Sequence, residues 1–385
     1  MIAYSRQQLD NRDIQMQAAE AFSKKVITAE EHTRIRESYP YKLYTPNMYI
    51  RIGLFLLTIL ASACSLGLLA LMGLVSSDRS AGILLIVFGM MAYGVLELFI
   101  HIRGIYRSGQ DDALLWVGTV SILSGIYINA DHMSASAASL SIFVLATLNV
   151  LRYVDRLMAL VSYGALLAFL FFTFTGQGPI VTGLIPFLVV ALSVALYFLF
   201  TRLSATEGLQ HYQSCLALLR AATLLSFYLA GNYYVIGEMN AFISGESKPV
   251  ALGILWWALT VFTPVYYIIR GIQKKDVLFL WTGLALVAAA VFTIRYYYHV
   301  LPAELAMIIG GSLLIGVSYY LIRLLRTPKH GFTSAVPKDP HLLQQLPVQA
   351  LIQAESFRSV STQPTETGTR FGGGTGGGGG AGGEY

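Results

Sequence analysis

The chain has 385 residues, of which 55% are hydrophobic and only 12% are charged, and its formal net charge is +5. A soluble globular domain carries about twice this charged fraction, so the composition excludes that class of protein. Lysine and arginine are confined to particular segments. This distribution indicates membrane topology and argues against a nucleic-acid-binding surface.

The first 50 residues are predicted to form a cytoplasmic helical N-terminal unit. They are polar and mixed in charge, and they lack the short apolar core of a cleavable signal peptide. Thr28 followed by Glu31 fits a capping box, which predicts a short helix running to about Ser38, before Pro40. We therefore expect the first apolar segment itself to direct insertion.

Residues 51–323 are predicted to form an all-α transmembrane bundle of about ten spans. Each candidate is an apolar run near the ~20 residues that a membrane-spanning helix needs. The third and fourth runs are the shortest. The predicted spans are 52–75, 81–102, 113–129, 135–151, 155–175, 179–200, 214–236, 250–270, 276–297 and 303–323.

The distribution of basic residues tests this topology independently. With the N-terminus inside, 22 of the 26 lysines and arginines fall on the inner side of the membrane. Only Arg79 and Lys248 fall outside, and Arg220 and Arg295 lie within spans. Cytoplasmic loops are enriched in basic residues, so the asymmetry predicts an even number of spans with both termini in the cytoplasm.

The remaining segment, 324–385, is predicted to be a cytoplasmic and largely disordered tail. It begins basic, and from Phe371 onwards it consists almost entirely of glycine. Such a composition cannot bury apolar surface.

Ionisable residues within predicted spans are the first candidates for a functional site, because burying them is costly. Glu97 and His101 lie four residues apart, on one face of the second span and near its inner end. They could form a proton-linked pair, or an interfacial ion pair with Arg103 nearby. Arg220 could neutralise a buried acid such as Glu97, bind an anionic group, or extend towards the headgroups.

A second candidate site is predicted at the outer ends of the last spans. It could be a polar pocket, or an aromatic belt anchored by an arginine. An outward metal site from Asp131, His132 and His299 has no supporting ligand spacing. The pocket residues are Asn232, Glu238, Arg295, Tyr296 and Glu304.

Three short stretches together carry a family resemblance. They are residues 25–31, followed by Arg34 and Ile35; residues 294–297, which read Ile-Arg-Tyr-Tyr; and residues 310–314, which lead to Arg323 and Arg326. They resemble a family of bacterial predicted membrane proteins of unknown function, in which Leu and Ser are commoner at the positions of Val26 and Thr28. The resemblance implies a bacterial inner-membrane protein and supplies no activity.

Several functions remain compatible with these features. Transport of a small solute or ion, or handling of a lipid-linked substrate, is the leading hypothesis. The alternative is a non-transporting scaffold or sensor that binds cytoplasmic protein partners through its N-terminal helices and tail. A third option is an intramembrane enzyme acting on lipid. The sequence contains no recognisable catalytic motif and points to no cofactor.

The topology makes a direct prediction. A reporter enzyme that works only outside the cytoplasm should be active when it is fused within 237–249. A reporter that works only in the cytoplasm should be active when it is fused after residue 330. An external C-terminus would contradict the even number of spans.

Overall fold

A computed structural model describes residues 2–130, 132–175, 177–206, 208–244, 252–274 and 276–298, together with scattered positions between 308 and 323. The described residues form helices and one isolated bridge between Tyr44 and Ile105. The helices are α1 (Arg6–Ser23), α2 (Ala29–Ser38), α3 (Met48–Leu69, continued by a π-turn, Ala70–Leu74), α4 (Asp78–Arg103), α5 (Gln110–Asn129), α6 (Ala135–Tyr153), α7 (Arg156–Phe174), α8 (Pro179–Ser204), α9 (Gln213–Gly231), α10 (Tyr233–Ser244), α11 (Gly253–Lys274) and α12 (Val277–Tyr297).

The chain divides into two compact units. One comprises residues 1–13 and 39–335, and the other comprises 14–38 and 336–385. In the second unit the predicted capping box is present. Glu31 accepts a hydrogen bond from the Thr28 amide at 2.8 Å, and Thr28 Oγ1 accepts one from the Glu31 amide at 3.3 Å. These bonds to the carboxylate lower the pKa of Glu31.

Nine helices within the described residues are long and apolar enough to cross a membrane: α3 to α9, α11 and α12. The described part of the chain is therefore all-helical, and it is that of a multi-pass membrane protein. The predicted tenth span, 303–323, lies outside the described residues except at scattered helical positions, and so does the tail.

Two predicted boundaries differ from the structure in an informative way. α5 begins at Gln110, three residues before the predicted 113, because Asp111 and Asp112 favour the first turn of a helix. The predicted span 214–236 was wrong beyond residue 231. Asn232 is extended, and its side-chain oxygen accepts hydrogen bonds from Tyr234 N and Val235 N, which starts α10. This second helix continues to Ser244, into the segment from residue 237 where an outer loop was expected.

The bundle is built from antiparallel pairs of consecutive helices: α4 with α5, α6 with α7, α8 with α9, and α11 with α12. We call one end of the bundle the basic face. There α3, α5, α7, α9 and α12 begin, and α4, α6, α8 and α11 end, and the arginines of these termini cluster. The other end is the opposite face.

Two glycine pairs set the close approach of α4 and α5. A Cβ on Gly125 would lie 2.5 Å from the Gly82 carbonyl oxygen, and a Cβ on Gly89 would lie 2.8 Å from that of Gly118. Small residues allow membrane helices to pack backbone against backbone. These four glycines therefore fix the α4–α5 interface.

Gly125→Ala should destabilise the protein by about 1–3 kcal/mol, because the new methyl group overpacks the α4–α5 contact. Gly94→Ala is the matched control. Gly94 lies on the exposed side of α4, where a Cβ meets nothing within 4 Å. Unfolding in detergent should show a lower free energy of unfolding for Gly125→Ala and an unchanged one for Gly94→Ala. Equal stability of the two variants would contradict the packing argument.

Candidate functional site

Glu97 is held by an ion pair that joins α4 to α6. Its carboxylate accepts hydrogen bonds from Arg152 Nε at 2.8 Å, Arg152 Nη2 at 2.9 Å and the Tyr153 hydroxyl at 2.9 Å. His101 lies at 3.7 Å from the same carboxylate and is mostly exposed. The hydrogen-bonded partner of the carboxylate is therefore Arg152, whereas the sequence had pointed to His101, with Arg103 nearby, or to Arg220.

A second polar cluster lies deeper in the bundle, on α4, α5 and α6. Asn149 Nδ2 donates to the Tyr93 hydroxyl at 2.8 Å and to Thr119 Oγ1 at 2.9 Å, and Thr119 donates to the Leu115 carbonyl oxygen. The Tyr93 ring stacks on Tyr153 with centroids 6.2 Å apart. The sequence reasoning missed this cluster, although Asn149 is a conspicuous amide in an apolar run.

Arg220 occupies a different environment from Glu97. Its Nε is buried and has no hydrogen-bond partner among the described residues. No ion pair connects it to Glu97. The two residues therefore do not form one site.

At the opposite face, Asn232 and Tyr296 belong to a packed cluster. Asn232 Nδ2 donates to the Tyr228 hydroxyl at 2.9 Å and to Thr293 Oγ1 at 3.0 Å. The Tyr296 ring packs edge-on against Tyr234, with centroids 4.7 Å apart. These side chains bond and pack with one another, as in an aromatic belt.

The other predicted residues of the outer pocket form no described hydrogen bond with this cluster. Arg295 and Glu238 are exposed and form no ion pair with each other. Glu304 lies outside the described residues, as do Asp131 and His299. In the part of the chain that is described, no three His, Cys, Asp or Glu side chains come together to hold a metal ion.

A cavity of about 1000 Å³ lies at the basic face, and the sequence did not reveal it. We call it the basic-face cavity. Its polar lining contains arginines and aspartates from separate segments, and its apolar wall comes from α3, α5 and α7. The charged lining residues are Arg12, Arg51, Arg107, Asp111, Asp112, Asp155 and Arg156.

A tight turn before α5 positions the arginine side of this cavity. The buried Asp111 carboxylate accepts hydrogen bonds from the consecutive amides of Arg107, Ser108 and Gly109, at 2.6, 2.8 and 3.0 Å. Gly109 has φ of +90°, and a Cβ there would lie 2.1 Å from the Arg51 carbonyl oxygen. Only glycine fits this position, so the turn is built for close approach to α3.

The charges lining the cavity differ in how far they are neutralised. Arg51 bonds to Asp112 through Nε at 3.1 Å and Nη2 at 2.5 Å. Arg107 and Arg156 form no ion pair with a described carboxylate. Asp155 caps α7 by accepting from the Met158 amide. Two guanidinium groups thus remain available to an anion.

The start of the chain contributes a further part of the wall. The Ala3 amide donates to the Arg152 carbonyl oxygen at 2.8 Å, and Tyr4 packs edge-on against Tyr106. Arg12 and Arg107 both lie over the Tyr106 ring, at 5.0 and 5.3 Å from its centroid. Burial, followed by the nearby Asp111 carboxylate, raises the pKa of Tyr4, which keeps it a neutral phenol.

The ion pair makes a testable contribution to stability. Glu97→Gln and Arg152→Gln should each cost about 1–3 kcal/mol, because each leaves a partly buried charged group without its partner. The double variant should lose less than the sum. His101→Gln, at an exposed position, should stay within about 0.5 kcal/mol of the parent.

Detergent unfolding of the parent, the two single variants and the double variant gives the double-mutant cycle. Strictly additive losses would show that Glu97 and Arg152 do not depend on each other.

No protein-family model, no curated protein and no solved structure matches this chain. The resemblance to bacterial membrane proteins of unknown function therefore stays a prediction, and any function must be argued from the site itself.

Proposed function

We propose that this multi-pass membrane protein binds a lipid-linked phosphate in the basic-face cavity, which the ligand enters sideways from the membrane between α3 and α7. One observation carries the proposal. A single cavity joins guanidinium groups that have no ion-pair partner to an apolar wall whose edges are exposed where lipid would lie.

The polar end of the cavity suits a phosphate. Arg107 and Arg156 line it without an ion-paired carboxylate, and the planar guanidinium fork matches phosphate oxygens in a bidentate arrangement. Asp112 and Asp155 leave carboxylate oxygens beside them. These can accept hydrogen bonds from hydroxyl or amine groups attached to the phosphate, as a substituted headgroup would present.

The apolar end suits a hydrocarbon tail. Phe55, Leu115 and Trp116 line the interior of the cavity. Its edges are Met48 and Ile52 on α3 and Leu157 on α7, which are 74%, 48% and 57% exposed. An exposed apolar edge at membrane depth is favourable only against lipid, so a tail can pass between the two helices without crossing a polar barrier.

The same geometry favours a lipid-linked ligand over a path for a small solute or ion. Neither Glu97 nor Arg220 lines the cavity. Glu97 is neutralised by Arg152, and the deeper polar residues hydrogen-bond to one another. Apart from Arg220 Nε and Asn129 Oδ1, the buried polar side-chain atoms of the described interior already have hydrogen-bond partners, whereas a solute path needs a continuous series of available ones.

Sidedness and location belong to the same proposal. The charge asymmetry supports a cytoplasmic basic face, and the family resemblance supports a bacterial inner membrane. A cytoplasmic protein partner for the N-terminal helices is a separate proposal. It is motivated by α2, which has no buried residue.

Binding of farnesyl phosphate and phosphatidic acid to the purified full-length protein in detergent tests the proposal. Both probes should bind, and farnesol, which lacks the phosphate, should bind about tenfold or more weakly, since a hydrogen bond to a charged group contributes about 1.5–3 kcal/mol. The double variant Arg107→Gln/Arg156→Gln should weaken the binding of farnesyl phosphate and of phosphatidic acid by a similar factor. Arg202→Gln is the control, because Arg202 is exposed at the basic face and does not line the cavity.

Native mass spectrometry and melting temperature would report binding and folding together. Equal affinity for farnesol and farnesyl phosphate would contradict the phosphate assignment. If Arg202→Gln lost as much affinity for the phosphates, the effect would come from the general positive charge of the surface and not from the cavity.

A further inference from the structure

A second cavity lies on the other side of the bundle, between α8 and α11, with α9 and α12 behind it. Its volume is about 500 Å³. We call it the α8–α11 groove. None of its lining residues is shared with the basic-face cavity, so the two cavities can bind different ligands.

One face of α11 runs along the whole groove. Leu259, Phe262, Thr263, Tyr266, Tyr267, Arg270 and Lys274 line it, with the three- and four-residue spacing of a single helical face. Arg270 and Lys274 stand at its basic-face end, in the last turns of the helix. The groove is thus apolar along its length and cationic at one end.

The length of the apolar part matches one leaflet. Leu259 and Arg270 are eleven residues apart, which is ~16 Å of helix at 1.5 Å per residue. Half of the hydrocarbon thickness of a bilayer is ~15 Å. A phosphate at Arg270 would therefore place an acyl chain along the groove down to the bilayer midplane.

The floor of the groove offers little to a polar ligand. Three of the hydroxyls that line it already bond within the protein: Ser193 with Ser226 at 2.8 Å, Thr223 to the Arg220 carbonyl oxygen, and Tyr267 to the Leu224 carbonyl oxygen at 3.2 Å. Most of the remaining lining is hydrocarbon, so the groove presents a mainly apolar surface to anything that enters it.

The lips of the groove are open towards lipid. Val194 and Phe198 on α8 face Phe262 and Tyr266 on α11 across the opening, and all four are exposed. The Arg270 guanidinium lies over the Tyr266 ring at 5.9 Å, which holds it at the mouth. Neither Arg270 nor Lys274 forms an ion pair with a described carboxylate, and nearby Asp276 is engaged in capping α12.

We infer that the α8–α11 groove is a specific binding site for an anionic phospholipid, with the phosphate at Arg270 and Lys274 and one acyl chain along α11. Charge complementarity selects the headgroup, and the apolar floor selects the chain. The site is separate from the cavity of the proposed function. Its ligand is a bulk membrane lipid held in place, where the cavity would take a lipid-linked substrate.

The test compares full-length protein in mixed micelles with phosphatidylglycerol and with phosphatidylcholine. Native mass spectrometry should show one tightly retained phosphatidylglycerol that phosphatidylcholine does not displace. Arg270→Gln/Lys274→Gln should weaken its retention at least about tenfold, because two charge-assisted contacts to the phosphate are lost.

Two further variants separate the groove from a general attraction of lipid to basic charge. Val194→Trp should fill the lip and also weaken retention, whereas Leu199→Trp, an equally exposed α8 position outside the groove, should not. Arg107→Gln/Arg156→Gln should leave this lipid bound. The variants of the groove and those of the basic-face cavity therefore test the two binding sites separately.

The inference is overturned if phosphatidylcholine is retained equally. It is also overturned if glycerol phosphate alone displaces the lipid, or if Arg270→Gln/Lys274→Gln retains phosphatidylglycerol as the parent does. Melting temperatures without added lipid should show that each variant remains folded.

Discussion

Hydrocarbon offers no hydrogen-bond partners, so polar side chains inside the bundle must be satisfied by the protein itself. Three clusters meet this constraint across helices: Glu97 with Arg152, Asn149 with Tyr93, and Asn232 with Thr293. They join α4 to α6 and α9 to α12. These helices do not follow each other in the chain, so no short loop holds them together. Four cations that line the two cavities at the basic face, Arg107, Arg156, Arg270 and Lys274, have no ion-pair partner among the described residues. The candidate sites lie there because charge can persist only where water or headgroups reach it.

The spans could be predicted from the sequence because apolar length is a local property, and nine of them lie close to their predicted positions. The break at Asn232 could not, because the apolar run continues through it and a side-chain cap decides where α9 ends. The partner of Glu97 was missed for a different reason. Arg152 is 55 residues away and stands at the end of a span, where it reads as an ordinary positive charge of an inner loop.

The two cavities differ in how far a sequence could reveal them. The basic-face cavity draws Tyr4, Arg51, Arg107 and Arg156 from four separate segments, so no pattern within any one segment predicts it. The α8–α11 groove follows one face of a single helix, and the regular spacing from Leu259 to Lys274 is visible in the sequence. Both depend on the same arrangement: a cationic end at the basic face and an apolar length along helices whose exposed edges can meet lipid.

The helix α3 has no buried residue, although it forms one wall of the basic-face cavity. The pairs α4–α5, α6–α7, α8–α9 and α11–α12 are formed by helices that follow each other in the chain, whereas α3 packs chiefly on α5 and is tied to it by Arg51 and Asp112, 61 residues apart. During synthesis, α3 therefore enters the membrane first and waits until α5 has been inserted and has paired with α4. The cavity wall is completed late in this sequence of events, by the helix that was made earliest.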